Sequence, residues 1–268
     1  MPTLRIVTWN INSVRLRLPL LADLVRDLAP DVICLQETKC PDDLFPHAGV
    51  EALGFPHRAV RGMKGYNGTA ILSRIPFTLR PGDPDWCAKG DCRHLGVDLA
   101  VPGGLEVHNF YVPAGGDIPD RGANPKFAHK LDFIAEATAW DAARGPARRA
   151  VMMGDLNIAP LESDVWSHRQ LLDVVSHTPV EVAALEGWQR AGGWHDAIRH
   201  FVPPPEKLYT WWSYRARDWE ASDRGRRLDH IWVSQDLASH LRDWRIHRTA
   251  RGWNQASDHV PVLVELDV

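Results

Sequence analysis

The feature that most constrains this chain is how its apolar residues are parcelled. They come in short, β-rich runs along the whole length, and many runs are separated by Gly/Pro turns. "LRIVTWN" (4–10), "DVICLQE" (31–37), "NGTAILSR" (67–74), "HLGVDLAV" (94–101) and "LEVHNFYV" (105–112) have the pattern of strands. So do "RRAVMMGDLN" (148–157), "RLDHIWVS" (227–234), "DWRIHR" (243–248) and "VPVLVELDV" (260–268). Helical spacing is confined to 14–28, closed by Pro30-Asp31, to 124–143, and to one or two helices in the proline-interrupted stretch 158–208, including 179–191. Strands outnumber helices and many are spaced as hairpins. The pattern predicts an α+β fold with two packed sheets and helices on the outside.

Length and composition narrow the class. The 268 residues show no repeat, no low-complexity segment and no linker, so one large domain over 1–268 is expected. Hydrophobic residues make up 44% and charged residues 24%, the balance of an ordinary globular protein. No apolar run approaches the roughly 20 residues of a membrane span, and the N-terminus lacks a basic-then-apolar signal pattern. A cytoplasmic monomer is the expectation. The four cysteines form no C-x-x-C pair, which argues against a zinc site and a disulfide framework; Cys34 falls in an apolar run and is expected in the core. A net charge of −3 leaves a nucleic-acid partner open, because a basic face can sit on a slightly acidic protein.

Chemistry-bearing residues gather at strand ends. Asn10 and Asn12 follow the first strand, Glu37 ends the second, and Tyr111 lies near the end of "LEVHNFYV". Asp155 and Asn157 end "RRAVMMGDLN", Asp229 opens "DHIWVS", and Asp258-His259 precede the last strand. Each alone can cap a turn or join a surface ion pair. Together, if the fold brings those ends to one place, they form a crowd of carboxylates and amides with one imidazole and one phenol. Crowded carboxylates repel unless a cation sits among them. Oxygen donors without cysteine favour a hard cation, Mg²⁺ or Mn²⁺. Such a site suits phosphoester hydrolysis, with His259 and a carboxylate partner as an orienting or proton-transfer pair.

The motifs "TWNINSVR", "DVICLQETK", "NGTAILS", "FYVPAGG", "MGDLNIAP", "RLDHIWVS" and "SDHVPV" occur in the order and spacing of one family. From first strand to last, the chain resembles the exonuclease III family of apurinic/apyrimidinic (AP) endonucleases, within the superfamily that includes DNase I. The resemblance implies a DNase I-like four-layer α/β sandwich with two central sheets. It also implies hydrolysis of duplex DNA 5′ to an abasic site, with 3′→5′ exonuclease and 3′-phosphatase activity. The implied partner is double-stranded DNA with abasic sites or blocked 3′ ends. Carried over by motif, Glu37 is a metal ligand, with Asp258, Asn10 and Asn12 around the metal, and Asp155, Asn157 and His259 close to it. Asp155 orients or deprotonates the attacking water, Asn157 supports the transition state, and Tyr111 approaches the phosphate. Asp229 orients His259, which either takes the water's proton or stabilises the phosphate; the motifs fit both roles, and one metal or two.

The resemblance further places Trp211 and Leu228 in a pocket for a flipped, base-less sugar, which selects abasic sites because a missing base costs less to extrude. Two positions depart from it. Arg226 stands where some relatives have an aromatic residue, and Ala114 replaces an amide residue. Lys64, Tyr66, Asn67, Arg121, Lys126 and the run Arg224–Arg227 are candidate contacts to DNA phosphates. Two alternatives remain at the level of sequence. One is a superfamily phosphodiesterase or phosphatase acting on RNA, inositol phosphates or lipid headgroups. The other is a non-catalytic DNA-binding module.

Overall fold

The computed structural model describes residues 3–81, 84–145 and 148–268. In chain order its strands are β1 (Thr3–Asn10), β2 (Val32–Gln36), β3 (His57–Arg61), β4 (Thr69–Ser73), β5 (Phe77–Leu79), β6 (His94–Leu99) and β7 (Leu105–Tyr111). They continue as β8 (Ala150–Asp155), β9 (Trp194–Asp196), β10 (Trp211–Trp212), β11 (Gly225–Arg226), β12 (Asp229–Ser234), β13 (Leu241–Ile246) and β14 (Val262–Asp267). Two six-stranded sheets result, ordered β13-β14-β1-β2-β4-β3 and β5-β6-β7-β8-β12-β9, beside a two-stranded ribbon β10-β11.

The sheets pack face to face. Ile6, Val32, Cys34 and Ile71 of one meet Val97, Val107, Val151, Met153 and Ile231 of the other in one buried cluster. The opposite faces are covered too. The helix Leu18–Leu28 packs Leu21 and Leu24 on Val7, Trp9 and Leu35. The helices Pro125–Arg144 and Pro179–Gly192 pack Phe133, Leu185 and Trp188 on Phe110, Met152 and Trp232. Burial on both faces explains why β1, β2 and β8 read as continuous apolar runs instead of alternating ones. The outcome is the expected α+β, four-layer sandwich.

Strand direction sets up the site. β1 runs parallel to β2, pairing Asn10 with Gln36, so both strands end at one edge of the first sheet. β7 runs parallel to β8, pairing Tyr111 with Asp155, and β12 lies antiparallel to β8, pairing Asp229 with Asp155. Two parallel pairs thus finish, and one antiparallel strand begins, on the same side of the sandwich.

Some boundaries differ from the sequence pattern. The first helix begins at Leu18, not at 14, because Asn12 and Ser13 have positive φ (49° and 89°); Pro19 sits in its first turn, where its missing N–H costs nothing. β3 escaped notice because its ends are charged, and β5, β9, β10 and β11 because two or three residues carry no periodicity. All four cysteines are free, with Cys34 in the inter-sheet core as expected. No helix among the described residues is long and apolar enough to cross a membrane.

Gly154 has a specific reason to be glycine. Its φ is +147°, and a Cβ there would lie 1.8 Å from the Phe110 carbonyl oxygen on the neighbouring strand. A side chain would push β8 off β7 one residue before Asp155. Gly154→Ala is therefore expected to destabilise the protein by more than about 2 kcal/mol in urea unfolding; a loss below about 0.5 kcal/mol would contradict the close approach.

Candidate active site

At the shared edge the strand tips meet. Asn10 is the link between sheets: its Nδ2 donates to Glu37 Oε1 at 2.9 Å and to Asp155 Oδ2 at 2.9 Å. Tyr111 Oη donates to Glu37 Oε1 at 2.8 Å. Asn157 donates twice to Asp155, from its backbone N at 3.0 Å and from Nδ2 at 3.2 Å, and Nδ2 is fixed by Val112 O at 2.9 Å. His259 lies between two carboxylates, with Nδ1 donating to Asp229 Oδ2 at 2.9 Å and Nε2 3.7 Å from Asp155 Oδ2. Asn12 Nδ2 donates to Asp258 Oδ1 at 3.1 Å. Glu37, Asn12 and Asn157 all hold positive φ (52°, 49° and 54°), a conformation that costs non-glycine residues energy and gathers at functional sites.

The electrostatics follow from burial. Desolvation, with the charges of Asp229 and Glu37 nearby, pushes the Asp155 carboxyl up to about 7 against the pull of His259 and Asn10. Burial opposes charge on His259, yet Asp229 and Asp155 outweigh it and push the imidazole up to about 10. Burial also opposes charge on Glu37, but Lys39 and Asn10 bring it below the usual carboxylate range. Burial and the neighbouring Glu37 and Asp155 raise the Tyr111 phenol well above its ordinary value, so it stays a donor.

The donor set fits a hard cation. Asp229 is matched by His259, and Glu37 by Lys39 at 2.7 Å. Asp258 accepts from the neutral groups Asn12 and Trp211 Nε1 (2.9 Å), and Asp155 from the amides of Asn10 and Asn157, leaving negative charge without a bound cation. Lys39 Nζ already rests between Glu37 Oε2 and Asn12 Oδ1, so these oxygens form a cradle for positive charge. Among acids and imidazoles alone, the ligand atoms of Asp155, Asp229 and His259 lie within 4.8 Å of one another. We favour the Glu37 side for an ion. Asp229 Oδ2 is committed behind the imidazole, to His259 and to the Thr210 hydroxyl at 2.6 Å.

The expected residues do not all arrive. Glu37, Tyr111, Asp155, Asn157, Trp211, Arg226, Leu228, Asp258 and His259 line one cleft of about 710 Å³. Ala114 and Arg224 join them. Lys64, Tyr66, Arg121 and Lys126 are exposed and do not line it. Asn67 is turned inward: its amide oxygen accepts from Arg93, which lies over the Tyr111 ring. Arg227 leaves the candidate DNA face, being 2% exposed and ion-paired to Asp164 and Asp196. The supporting residues Lys39, Thr210 and Arg93 were missed. Lys39 was visible as the last letter of "LQETK"; Thr210 and Arg93 have no signal in single-sequence patterning.

Beneath the cleft a buried ion pair ties its loops together. Lys130 Nζ bonds Glu181, the Asn157 carbonyl at 2.8 Å and the Ala114 carbonyl at 3.3 Å. Glu181 in turn accepts from Ser176 N and from Thr178. Lys130→Met is expected to cost about 3–5 kcal/mol in chemical denaturation, because it strands a buried carboxylate and two carbonyls; a cost under about 1 kcal/mol would show the pair to be dispensable.

A histidine aligned by one aspartate, facing a second aspartate and amide donors across a cleft that suits a hard cation, defines a phosphoester hydrolase. The comparisons carry this further. Residues 7–259 match the model of the endonuclease/exonuclease/phosphatase family. The chain is 32% identical to exodeoxyribonuclease III of Haemophilus influenzae, over 98% of this chain and 99% of that one. It superposes on a solved AP endonuclease from Archaeoglobus fulgidus with a TM-score of 0.90, at 30% identity, covering 99% of this chain and 100% of that one. It also superposes on the 3′ phosphatase NExo from Neisseria bound to product DNA hairpin, with a TM-score of 0.89, at 32% identity and the same coverage. The chain belongs to the endonuclease/exonuclease/phosphatase family, in its exonuclease III branch.

Proposed function

We propose that this protein is a Mg²⁺- or Mn²⁺-dependent DNA repair nuclease. It hydrolyses duplex DNA 5′ to abasic sites and acts at 3′ ends as an exonuclease and phosphatase. One observation carries the reading: Glu37 and Asp155, from different sheets, share the single amide of Asn10 beside His259. The activities for which the relatives are named support the substrate. We further infer a single domain over 1–268 that acts as a cytoplasmic monomer.

The contacts support a part for each residue. Glu37 is assigned to the metal, with Asp258, Asn10 and Asn12 around it. When bound, the ion supplies positive charge that neutralises and polarises the phosphate oxygens. Asp155 orients the attacking water and accepts its proton; Asn157 and Asn10 hold the carboxylate in place. His259 has its Nδ1 proton committed to Asp229, so Nε2 is the end that faces the reacting group. A protonated imidazole there donates to a phosphate oxygen, which favours phosphate stabilisation over proton removal. Tyr111 keeps its proton and donates it to Glu37, holding that carboxylate at the wall of the cleft.

Purified protein is expected to nick a duplex with one abasic analogue in Mg²⁺ and to stop in EDTA; full activity in EDTA would reject the metal assignment. Asp155→Asn and His259→Ala are each expected to lower kcat by about 10²–10⁴ with little change in DNA affinity. Loss of affinity with kcat intact would contradict the assigned roles.

A further inference from the structure

Arg226 stands where some relatives of the resembled family have an aromatic residue, and among the described residues no carboxylate answers its charge. The side chain lines the cleft with Trp211 and Leu228, its guanidinium carbon 5.4 Å from the centre of the Trp211 ring. Nη1 donates to the Val175 carbonyl at 2.9 Å and to Ser176 Oγ at 2.6 Å, both neutral. Among the described residues no carboxylate forms a salt bridge with it. The negative group that acts on it from a distance is Glu181, whose oxygens are already taken by Lys130, Ser176 and Thr178. Nε has no hydrogen-bond partner and is closed to water. A cation drawn out of water without a counter-charge is unfavourable, so the wall is arranged for an anion that arrives with a ligand.

The free side of the group suits that ligand. Nη1 makes the hydrogen bonds that anchor the guanidinium to the 175–176 loop, which leaves Nη2 to meet a ligand. From there the cation can donate a charge-assisted hydrogen bond to a carboxylate or phosphate. Trp211 and Leu228 beside it supply an apolar flank, next to which a charged contact is stronger than in open water. Arg227, its chain neighbour, shows the contrast: its charge is met by Asp164 and Asp196.

We propose that Arg226 is an anion receptor for the group carried beyond the scissile phosphate. The proposal rests on the nuclease reading and sharpens its substrate class. In that hydrolysis the bond from phosphorus to the upstream 3′ oxygen breaks and the water oxygen joins phosphorus. The 3′ oxygen leaves as a hydroxyl with a proton from the water, and the phosphate departs with whatever it carries. An anion on that departing group lies in the pocket Arg226 walls. Two sources share this chemistry: the carboxylate of a 3′-phosphoglycolate end, and the next phosphate of an internal abasic residue.

The test compares kcat/KM on three duplexes. One ends in a plain 3′-phosphate and carries nothing beyond it. One ends in 3′-phosphoglycolate. One holds an internal tetrahydrofuran residue, a neutral ring followed by a phosphate. In Arg226→Gln the loss on an anion-bearing substrate is expected to exceed the loss on the plain 3′-phosphate by about 10- to 100-fold. Arg226→Lys, which keeps the charge but not the anchor to the 175–176 loop, is expected to recover part of it. Excess loss confined to phosphoglycolate identifies the carboxylate, excess loss confined to the internal residue identifies the next phosphate, and excess loss on both means that either anion is received. An equal loss on all three substrates would mean that Arg226 only holds the 175–176 loop, and no loss on any would leave it without a role; both overturn the proposal. A wild-type protein inactive on all three duplexes would bring down the nuclease reading, and the receptor with it.

Discussion

Everything at this site depends on one amide placed between two carboxylates. Glu37 comes from one sheet and Asp155 from the other, and each accepts from Asn10 at 2.9 Å. Sharing one nitrogen keeps their bonded oxygens within about 6 Å, where like charges at an effective dielectric near 20 repel by roughly 3 kcal/mol. The fold sustains that repulsion through the inter-sheet core, which fixes the sheet edges whether or not the carboxylates agree. It relieves part of it with Lys39 on Glu37 and with His259 facing Asp155. The residual negative charge is what makes the edge useful, because it turns a place of mutual repulsion into one where a cation and a phosphate can meet.

Strand direction does the positioning. Two parallel pairs, β1 with β2 and β7 with β8, deliver Asn10, Glu37, Tyr111 and Asp155 to one edge. The antiparallel β12 starts there with Asp229, and the bridge between Trp211 and His259 brings the imidazole in beside it. Rigid strands hold such side chains more exactly than loops can, and left-handed backbone at Glu37 and Asn157 turns the last residues across the edge. The softer parts of the cleft, around 114, 157 and 176, are fastened from below by the buried Lys130–Glu181 pair. Fine positioning of the carboxylates and broader shaping of the substrate wall are thus handled by different interactions.

Much of this was legible in the letters. The apolar runs marked the long strands because both faces of each sheet are covered. The polar tips marked the edge where they converge because a carboxylate or amide ending an apolar strand has few structural reasons to recur. What stayed hidden depends on three dimensions. Lys130 looks like any helical lysine until the helix Pro125–Arg144 is laid on the sheet and its tip is found wholly buried. Thr210 acquires its role only when β10 and β12 come together and its hydroxyl both donates to Asp229 and accepts from the backbone of Leu228. Arg227 reads as part of a basic run with Arg224 and Arg226, yet just past β11 it turns into the interior to meet Asp164 and Asp196 while Arg226 faces the cleft.

We propose that the converging strand tips bind a divalent ion through Glu37 in the free protein. Titration with Mn²⁺, followed by electron paramagnetic resonance, is the decisive measurement. Saturable Mn²⁺ binding to the wild-type protein is expected, weakening by about tenfold or more in Glu37→Gln while the circular dichroism spectrum is unchanged. Equal Mn²⁺ affinity in the two proteins would contradict it.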